Sequence, residues 1–324
     1  MKSLKEFKSD FNNIVIFGYS ENFINLLKIN KNNKIKTIII TTPENKKKIN
    51  FKSSVIFTKN FDNKVINQLK RKIDFKKTLF ISLGSRWIFN NNQIKEFDYQ
   101  LINIHSSMLP FDKGGGGYSW RILRNDRIYS STIHLVSDKI DEGMIIDQDF
   151  DLFPDTAKIP KDYIEFTNKK FIKQYLNFIT NLKKGKKFTM IKNPDLFGDY
   201  YPRLNTKING WINWSWKPIE LERFINAFDE PYEGAKTFLY DEEVYLTDVR
   251  LSSFFKHNHS FVNGIVTNKF KNFIIVQCGE GSSLLIKSVK NTKGLNINKK
   301  IKLGDRFYTP EKKLDLSKKR VFYS

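Results

Sequence analysis

From Ile14 to Leu182 the chain alternates short apolar runs with amphipathic stretches, and this alternation constrains the fold more than any other feature. Ile14–Phe17, Ile35–Ile40, the run SSVIFTK, Thr78–Leu83 and Leu101–His105 are too short for helices and are mostly unbroken by polar residues. Strands of that kind are buried on both faces. Between them, YSENFINLLK sets Phe23, Leu26 and Leu27 at helical spacing behind Ser20 as a predicted N-cap, and Asn63–Lys72 reads as a basic helix. Strand and helix in turn predict an α/β fold: a Rossmann-like, mainly parallel sheet with helices on both faces. The glycines 114–117 precede a helix predicted from near Tyr118. STIHLV and GMIIDQDFDLF add strands, and PKDYIEFTNKKFIKQYLNFITNL forms a long amphipathic helix.

A polar, aromatic and proline-bearing stretch, Asn193–Lys207, marks a predicted boundary between domains 1–195 and 196–324. The second domain opens with a helical stretch at about 208–234, including a helix over Pro218–Phe228. Then AKTFLY, EVYLTDVRL, NGIVTNKF, NFIIVQCG and SLLIKSV follow, separated by turns. Regularly spaced short strands without helices predict a small closed β-barrel at about 235–310.

The formal net charge is +22, a value that suits nucleic acid, an anionic membrane surface or phosphorylated substrates. Only ten of the 56 basic residues are arginine, whereas specific phosphate readers favour arginine forks. Most of this charge therefore reads as solvated surface, with a share left for an anionic substrate. No apolar run approaches the roughly 20 residues of a membrane span. The short apolar run after the basic start reads as a first strand, not a signal peptide, so the expected compartment is the cytoplasm and no membrane partner is expected. Cys278 is the single cysteine, which rules out an internal disulfide framework and a cysteine metal cluster.

In open α/β sheets ligands bind at the carboxyl ends of the strands. Asn103 and His105 lie at such an end, two residues apart and so on one face. An asparagine amide can donate to a developing oxyanion, and a histidine can donate or carry a proton. Asp141, in SDKIDEGMI, follows a later strand and could orient His105 or accept a proton through water. Each residue also has a plain alternative. Asn103 could bond its own backbone, His105 could be a satisfied core histidine, and Asp141 could cap a turn.

Taken together, NIHSSMLP, the glycine run and STIHLVSDKIDEGMII resemble the formyltransferases that use 10-formyltetrahydrofolate. The Asn-x-His of that family matches Asn103 and His105, and its downstream Asp in a D-x-G turn matches Asp141, 36 positions beyond the histidine. Ser106 stands where the family usually has Pro, and Met108 where it has Leu. The resemblance extends through INGWINWSW into a C-terminal domain with a small OB-like barrel. It implies acyl transfer in which an amine attacks the formyl carbon. Asn103 and His105 would stabilise the oxyanion, and Asp141 would take the amine's proton, with no metal. The folate co-substrate is expected along SLGSRWIF, with Arg86 meeting a folate carboxylate or the pterin edge. Trp87, Met108 and Leu109 are expected nearby, and the backbone at Ile140–Gly143 should face the pterin. Trp87 has packing as its alternative.

For the acceptor, the resemblance leaves an amino-sugar nucleotide and methionyl-tRNA, and charge alone suggests a third reading, a nucleic-acid-binding protein without enzymatic activity. The tRNA enzymes resemble one another in a long basic loop after the second strand, where this chain has the short TTPENKKKINF. TIHLV, with His134, and FDEPYEGA look more like the sugar enzymes, whereas Lys287 and Lys290 on a basic barrel strand keep tRNA open. The glycines 115–117 are expected to let a bulky acceptor approach. Tyr118, Trp120, Tyr201 and Arg203 are the candidates to hold its nucleotide and sugar, with packing as their alternative. A homodimer stays open.

Overall fold

The structure, a computed structural model, describes residues 10–49, 54–115, 117–193, 198–252 and 259–321. β1 (Asn13–Gly18), α1 (Phe23–Asn32), β2 (Lys36–Thr41), β3 (Ser54–Phe57), α2 (Asn63–Lys70), β4 (Thr78–Leu83), α3 (Asn91–Glu96) and β5 (Leu101–His105) follow the predicted alternation. β6 (Asp112–Gly114), α4 (Tyr118–Arg124), β7 (Ile128–Leu135), β8 (Ile145–Leu152) and α5 (Pro160–Lys183) come next. Seven strands join in the order β3-β2-β1-β4-β5-β7-β8. β1 pairs in parallel with β2 and β4, β2 with β3, and β4 with β5, while β5 and β7 are antiparallel. The strand order reverses between β1 and β4, the place where open α/β sheets open a crevice for ligands.

Alternation along each strand builds two cores, one per face. Ile14, Ile16, Leu79, Ile81, Ile102 and Ile104 pack with Phe23 and Leu26 of α1 and with Phe171, Phe178 and Leu182 of α5. Val15, Phe17, Ile38, Ile40, Phe80 and Leu101 pack with Val65, Ile66 and Leu69 of α2 and with Ile94 and Phe97 of α3. Each such side chain contributes about 1.5–3 kcal/mol by leaving water. This is why the strands read as unbroken apolar runs. One local expectation fails: Asn22, not Ser20, is the N-cap of α1. Ser20 instead accepts the Asn22 backbone N–H on its Oγ at 3.1 Å, tightening the turn before the helix.

The chain divides into two compact units. One comprises residues 1–114, 129–151 and 167–200 and carries the sheet just described; the other comprises 115–128, 152–166 and 201–324. β9 (Asp199–Tyr201) pairs with β6. In the second unit α6 (Thr206–Asn209) and α7 (Pro218–Ala227) precede β10 (Ala235–Leu239), β11 (Glu242–Ser252), β12 (Val266–Lys269), β13 (Ile274–Gln277) and β14 (Ser283–Asn291), and α8 (Glu311–Ser317) follows them. α7 starts at Pro218, and the Glu220 carboxylate accepts the Lys217 N–H at 3.1 Å, an arrangement that suits a helix N-terminus. α4 packs on α7 within this unit, and Ser119 Oγ donates to the Ala227 carbonyl at 2.7 Å. The late strands form an antiparallel sheet in the order β10-β11-β14-β13-β12. Phe238 of β10 bridges to Tyr308, and Ile265, just before β12, bridges to Arg306. One short segment thus covers both edges of this sheet.

Candidate active site

Register decides the geometry. In the antiparallel pairing of β5 with β7, Asn103 lies opposite His134 and His105 opposite Thr132. His134 is 2% exposed, and its Nδ1 stands 2.8 Å from the Leu135 carbonyl oxygen. A carbonyl only accepts, so Nδ1 carries the proton and Nε2 presents a lone pair. Asn103 Nδ2 donates to that lone pair at 3.1 Å. The amide is thereby oriented with its NH2 group toward His134, and its second N–H stays available to another acceptor. Burial pushes the His134 imidazole down to about 4, helped by His105 and opposed by Asp141 and the Leu135 carbonyl. At neutral pH His134 is uncharged.

His105 Nε2 lies 2.8 Å from Ser107 Oγ and 3.7 Å from Asp141 Oδ2. The other Asp141 oxygen, Oδ1, lies 3.7 Å from His134 Nε2. The two imidazoles meet edge to face, with centroids 6.3 Å apart. Asp141 sits in a left-handed backbone conformation, φ +57°, in the turn after β7. Gly114 donates its N–H to Asp141 Oδ2 at 3.0 Å, and Asn193 Nδ2 donates to the Asp141 carbonyl at 2.7 Å and to that of Gly143 at 3.3 Å. His105 and Asp141 keep 19% and 11% of their side-chain surface exposed. They are within reach of a ligand but poorly solvated, a setting in which charges interact strongly. The segment below them is clamped. Thr132 Oγ1 donates to the Ser107 carbonyl at 2.9 Å, and Gln148 Nε2 donates to the Leu109 carbonyl at 2.9 Å.

The structure thus gathers Asn103, His105 and Asp141 in the first unit and adds two residues that the sequence did not place at the reacting centre, His134 and Asn193. His134 between the apolar Ile133 and Leu135 near the end of its strand was the available signal. Asn193 gave none, since it lies in a stretch read as a boundary.

The other expected residues are placed as follows. Arg86 is exposed in the loop after β4. Trp87 is half-buried; its indole N–H donates to the Lys59 carbonyl at 3.0 Å, and its ring packs 6.0 Å from that of Phe61. Met108 is half-buried and Ile140 exposed. Leu109 is buried, with its N–H on Thr132 Oγ1 at 3.4 Å and its carbonyl on Gln148. Gly143 is buried, and a Cβ there would overlap the Leu135 carbonyl oxygen, so its turn tolerates no side chain. In the second unit, the space a Gly115 side chain would take is filled by the backbone nitrogen and Cγ of Arg203. Gly116 lies outside the described residues. Gly117 is the N-cap of α4 and is unobstructed. Tyr118 lies 6.1 Å from Tyr163. Trp120 donates its indole N–H to the Pro202 carbonyl at 2.8 Å and packs 5.4 Å from Tyr201. Arg124 stacks 4.4 Å over the Tyr201 ring, and Arg203 is exposed. Among the described residues no group of three or more His, Cys, Asp or Glu side chains could hold a metal ion, and no helix is long and apolar enough to cross a membrane.

A donor amide, an imidazole and a carboxylate gathered at a strand end of a mainly parallel α/β sheet can stabilise an oxyanion and move a proton, the chemistry that acyl transfer needs. Residues 12–158 match the family profile described as "Formyl transferase", and residues 205–301 match "Formyl transferase, C-terminal domain". The chain belongs to the formyltransferase family. Among curated proteins it is 26% identical over 212 residues to the bifunctional polymyxin resistance protein ArnA of Wigglesworthia glossinidia brevipalpis, covering 64% of this chain and 31% of that protein. It is 25% identical over 198 residues to the methionyl-tRNA formyltransferase of Acetivibrio thermocellus, covering 59% of this chain and 60% of that one. The chain therefore spans less than two thirds of either relative. For the corresponding enzyme of Rickettsia prowazekii the identity is 28% over 239 residues, 73% of each chain. Among solved structures, the N-formyltransferase from Helicobacter canadensis, in complex with folinic acid and dTDP-3-aminofucose, superposes with a TM-score of 0.63 at 18% identity, covering 86% of this chain and 99% of that one. WlaRD, a sugar 3N-formyltransferase with dTDP and 5-N-formyl-THF, gives 0.61 at 19% identity over 86% and 97%. At these identities the structural likeness establishes the fold.

Proposed function

We propose that this protein transfers a formyl group from 10-formyltetrahydrofolate to the amine of an amino sugar carried on a nucleotide. The observation that carries the reading is the convergence of Asn103, His105 and Asp141 at the end of β5, in a chain of the formyltransferase family. The amine attacks the formyl carbon. Asn103, through its free N–H, and His105 donate to the oxyanion of the tetrahedral intermediate. Asp141 accepts the proton the amine loses, through water, and that proton leaves with N10 of the folate as the C–N10 bond breaks. The folate lies along the Arg86 loop, with its pterin toward the backbone at Ile140–Gly143 and the apolar surface of Met108 and Leu109 beside it. Trp87 offers a ring face only, since its N–H is occupied.

For the acceptor, Trp120, Tyr201 and Tyr118 supply rings that stack on a base, and Arg203 and Arg124 supply guanidinium groups for phosphates. Two of the structural neighbours are named as handling dTDP or a dTDP-amino sugar, which supports this choice. A second reading, methionyl-tRNA as acceptor, draws on the curated relatives of that name and on the charge of +22. The two separate in one experiment. The protein is given 10-formyltetrahydrofolate and either a panel of amino-sugar nucleotides or charged initiator tRNA. Tetrahydrofolate release is followed with mass spectrometry of the acceptor. Formylation of a sugar nucleotide with none of the tRNA is expected; the reverse pattern would establish the tRNA reading. Salt-sensitive RNA binding with no transfer in either arm would leave a binding protein.

A further inference from the structure

The proposed function runs the glutamate end of the folate along the loop after β4, and the role inferred for this edge of the sheet rests on that reading. The loops after β2, β3 and β4 carry Lys46, Lys47, Lys48, Lys59 and Arg86, all exposed. The strand order β3-β2-β1-β4 gathers these loops along one edge, with Arg86 in the loop that follows β4, the strand next to β5. They are also tied together. Trp87 Nε1 donates to the Lys59 carbonyl at 3.0 Å, joining the β3 loop to the β4 loop. Lys48 Nζ lies 5.1 Å over the ring of Tyr19, in the loop after β1. Glu44 is held below the ordinary carboxyl range by hydrogen bonds to Thr42 and to its own backbone N–H, and further by Arg86 and Lys59. The charges of all three loops therefore share one neighbourhood.

The same loops carry three carboxylates, Glu21, Glu44 and Asp62, and Asp62 is engaged in capping α2, accepting the Lys64 and Val65 N–H groups. Among the described residues none of the five cations stands within ion-pairing distance of an acid. Elsewhere exposed lysines do find acids: Lys70 with Glu96, Lys161 with Glu230, Lys318 with Asp315. With neighbouring strands about 4.8 Å apart, the rim from the β4 loop to the β3 loop spans roughly 15 Å. A nucleoside diphosphate is compact and would use a small part of that line. A flexible chain with a carboxylate on every residue would use all of it. Lysine, a point charge on a long stem, suits such a partner better than a rigid arginine fork. The geometry points to a subsite for an oligoglutamate tail, in which the γ-linked glutamates that extend a folate run outward from Arg86 across Lys46, Lys47, Lys48 and Lys59.

The test uses the full chain and 5-formyltetrahydrofolate bearing one or five glutamates, titrated by calorimetry at low and at physiological salt. Exposed ion pairs are individually weak and salt-screened, so the pentaglutamate form should bind roughly tenfold tighter at low salt, with the ratio shrinking as salt rises. In a variant carrying Lys46→Ala, Lys47→Ala, Lys48→Ala and Lys59→Ala together, that ratio should fall to near one, whatever happens to either affinity alone. Equal binding of the two forms by the unaltered protein, or an unchanged ratio in the variant, overturns the inference and leaves the proposed function standing. If neither form binds, both fall. Displacement of the pentaglutamate form by tRNA at physiological salt, at concentrations that spare the monoglutamate, assigns the rim to RNA and overturns the inference.

Discussion

His134 makes the first unit sensitive to acid in a way that can be calculated. Its imidazole titrates at about 4 in the folded protein, against about 6.5 in an unfolded chain. Between those values the unfolded state binds the proton and the folded state does not, so stability rises with pH. The contribution is fully present above about pH 6.5 and is lost as pH falls toward 4. From pH 7 to pH 5 this one group should remove about 2 kcal/mol. His134→Gln isolates the effect. A glutamine carbonyl can accept the Asn103 N–H, and it does not titrate. Its own cost is independent of pH and cancels when slopes are compared. Hydrogen exchange of β7 peptides by mass spectrometry, at pH 7, 6 and 5 and corrected for intrinsic rates, reads the stability of this unit without assuming that both units unfold together. The unaltered protein should lose about 2 kcal/mol more protection than His134→Gln across that range. With four histidines in the chain, the His134 ring proton can also be followed directly by NMR. Parallel pH slopes for the two proteins, or a His134 midpoint near 6.5, would falsify the account of a buried neutral imidazole.

Three further outcomes are expected. His105→Ala and Asp141→Ala should each lower turnover by about two to four orders of magnitude while folate still binds; steady-state kinetics with folate titration checks this, and near-normal turnover in either removes the proposed trio. Asn193→Ala leaves the carbonyls of Asp141 and Gly143 without their donor and should cost about 1–3 kcal/mol, read as faster exchange confined to the 137–144 turn; unaltered protection there means that Asn193 holds nothing. Gly115→Val must displace Arg203 and should raise the acceptor KM while sparing folate affinity; an equal loss of both ties the loop to the folate instead.

The fold was legible because a parallel sheet buries both faces of its strands, so Ile14–Phe17 and Thr78–Leu83 stand out as apolar runs with no periodicity to decipher. Asn103 and His105 were legible for a local reason, since two positions along a strand share a face. What joins them to the rest is not local. Asn103 meets His134 because β7 runs antiparallel to β5 in one particular register, and an alternation of strand and helix does not reveal the direction of β7. Asn193 reaches back 52 positions to hold Asp141. Gly115 read as room for a substrate, yet the room is taken by Arg203, a neighbour 88 positions away that no local pattern could supply.

An asparagine amide carries a donor and an acceptor of nearly equal size, and a site that needs the donor must be told which way the amide faces. In the proposed transfer the wrong orientation would turn a carbonyl oxygen toward a developing oxyanion, a repulsion in place of an attraction. A charged imidazole behind Asn103 could not set the orientation, since its Nε2–H would face the NH2 group donor to donor. A neutral imidazole protonated on Nε2 would fail for the same reason. The Leu135 carbonyl excludes that tautomer by holding the proton on Nδ1, and burial excludes the charged form. What remains is one lone pair aimed at Asn103. The sheet register supplies the position, the carbonyl supplies the tautomer and the core supplies the charge state. An Asn103 free to donate forward is the joint product of all three.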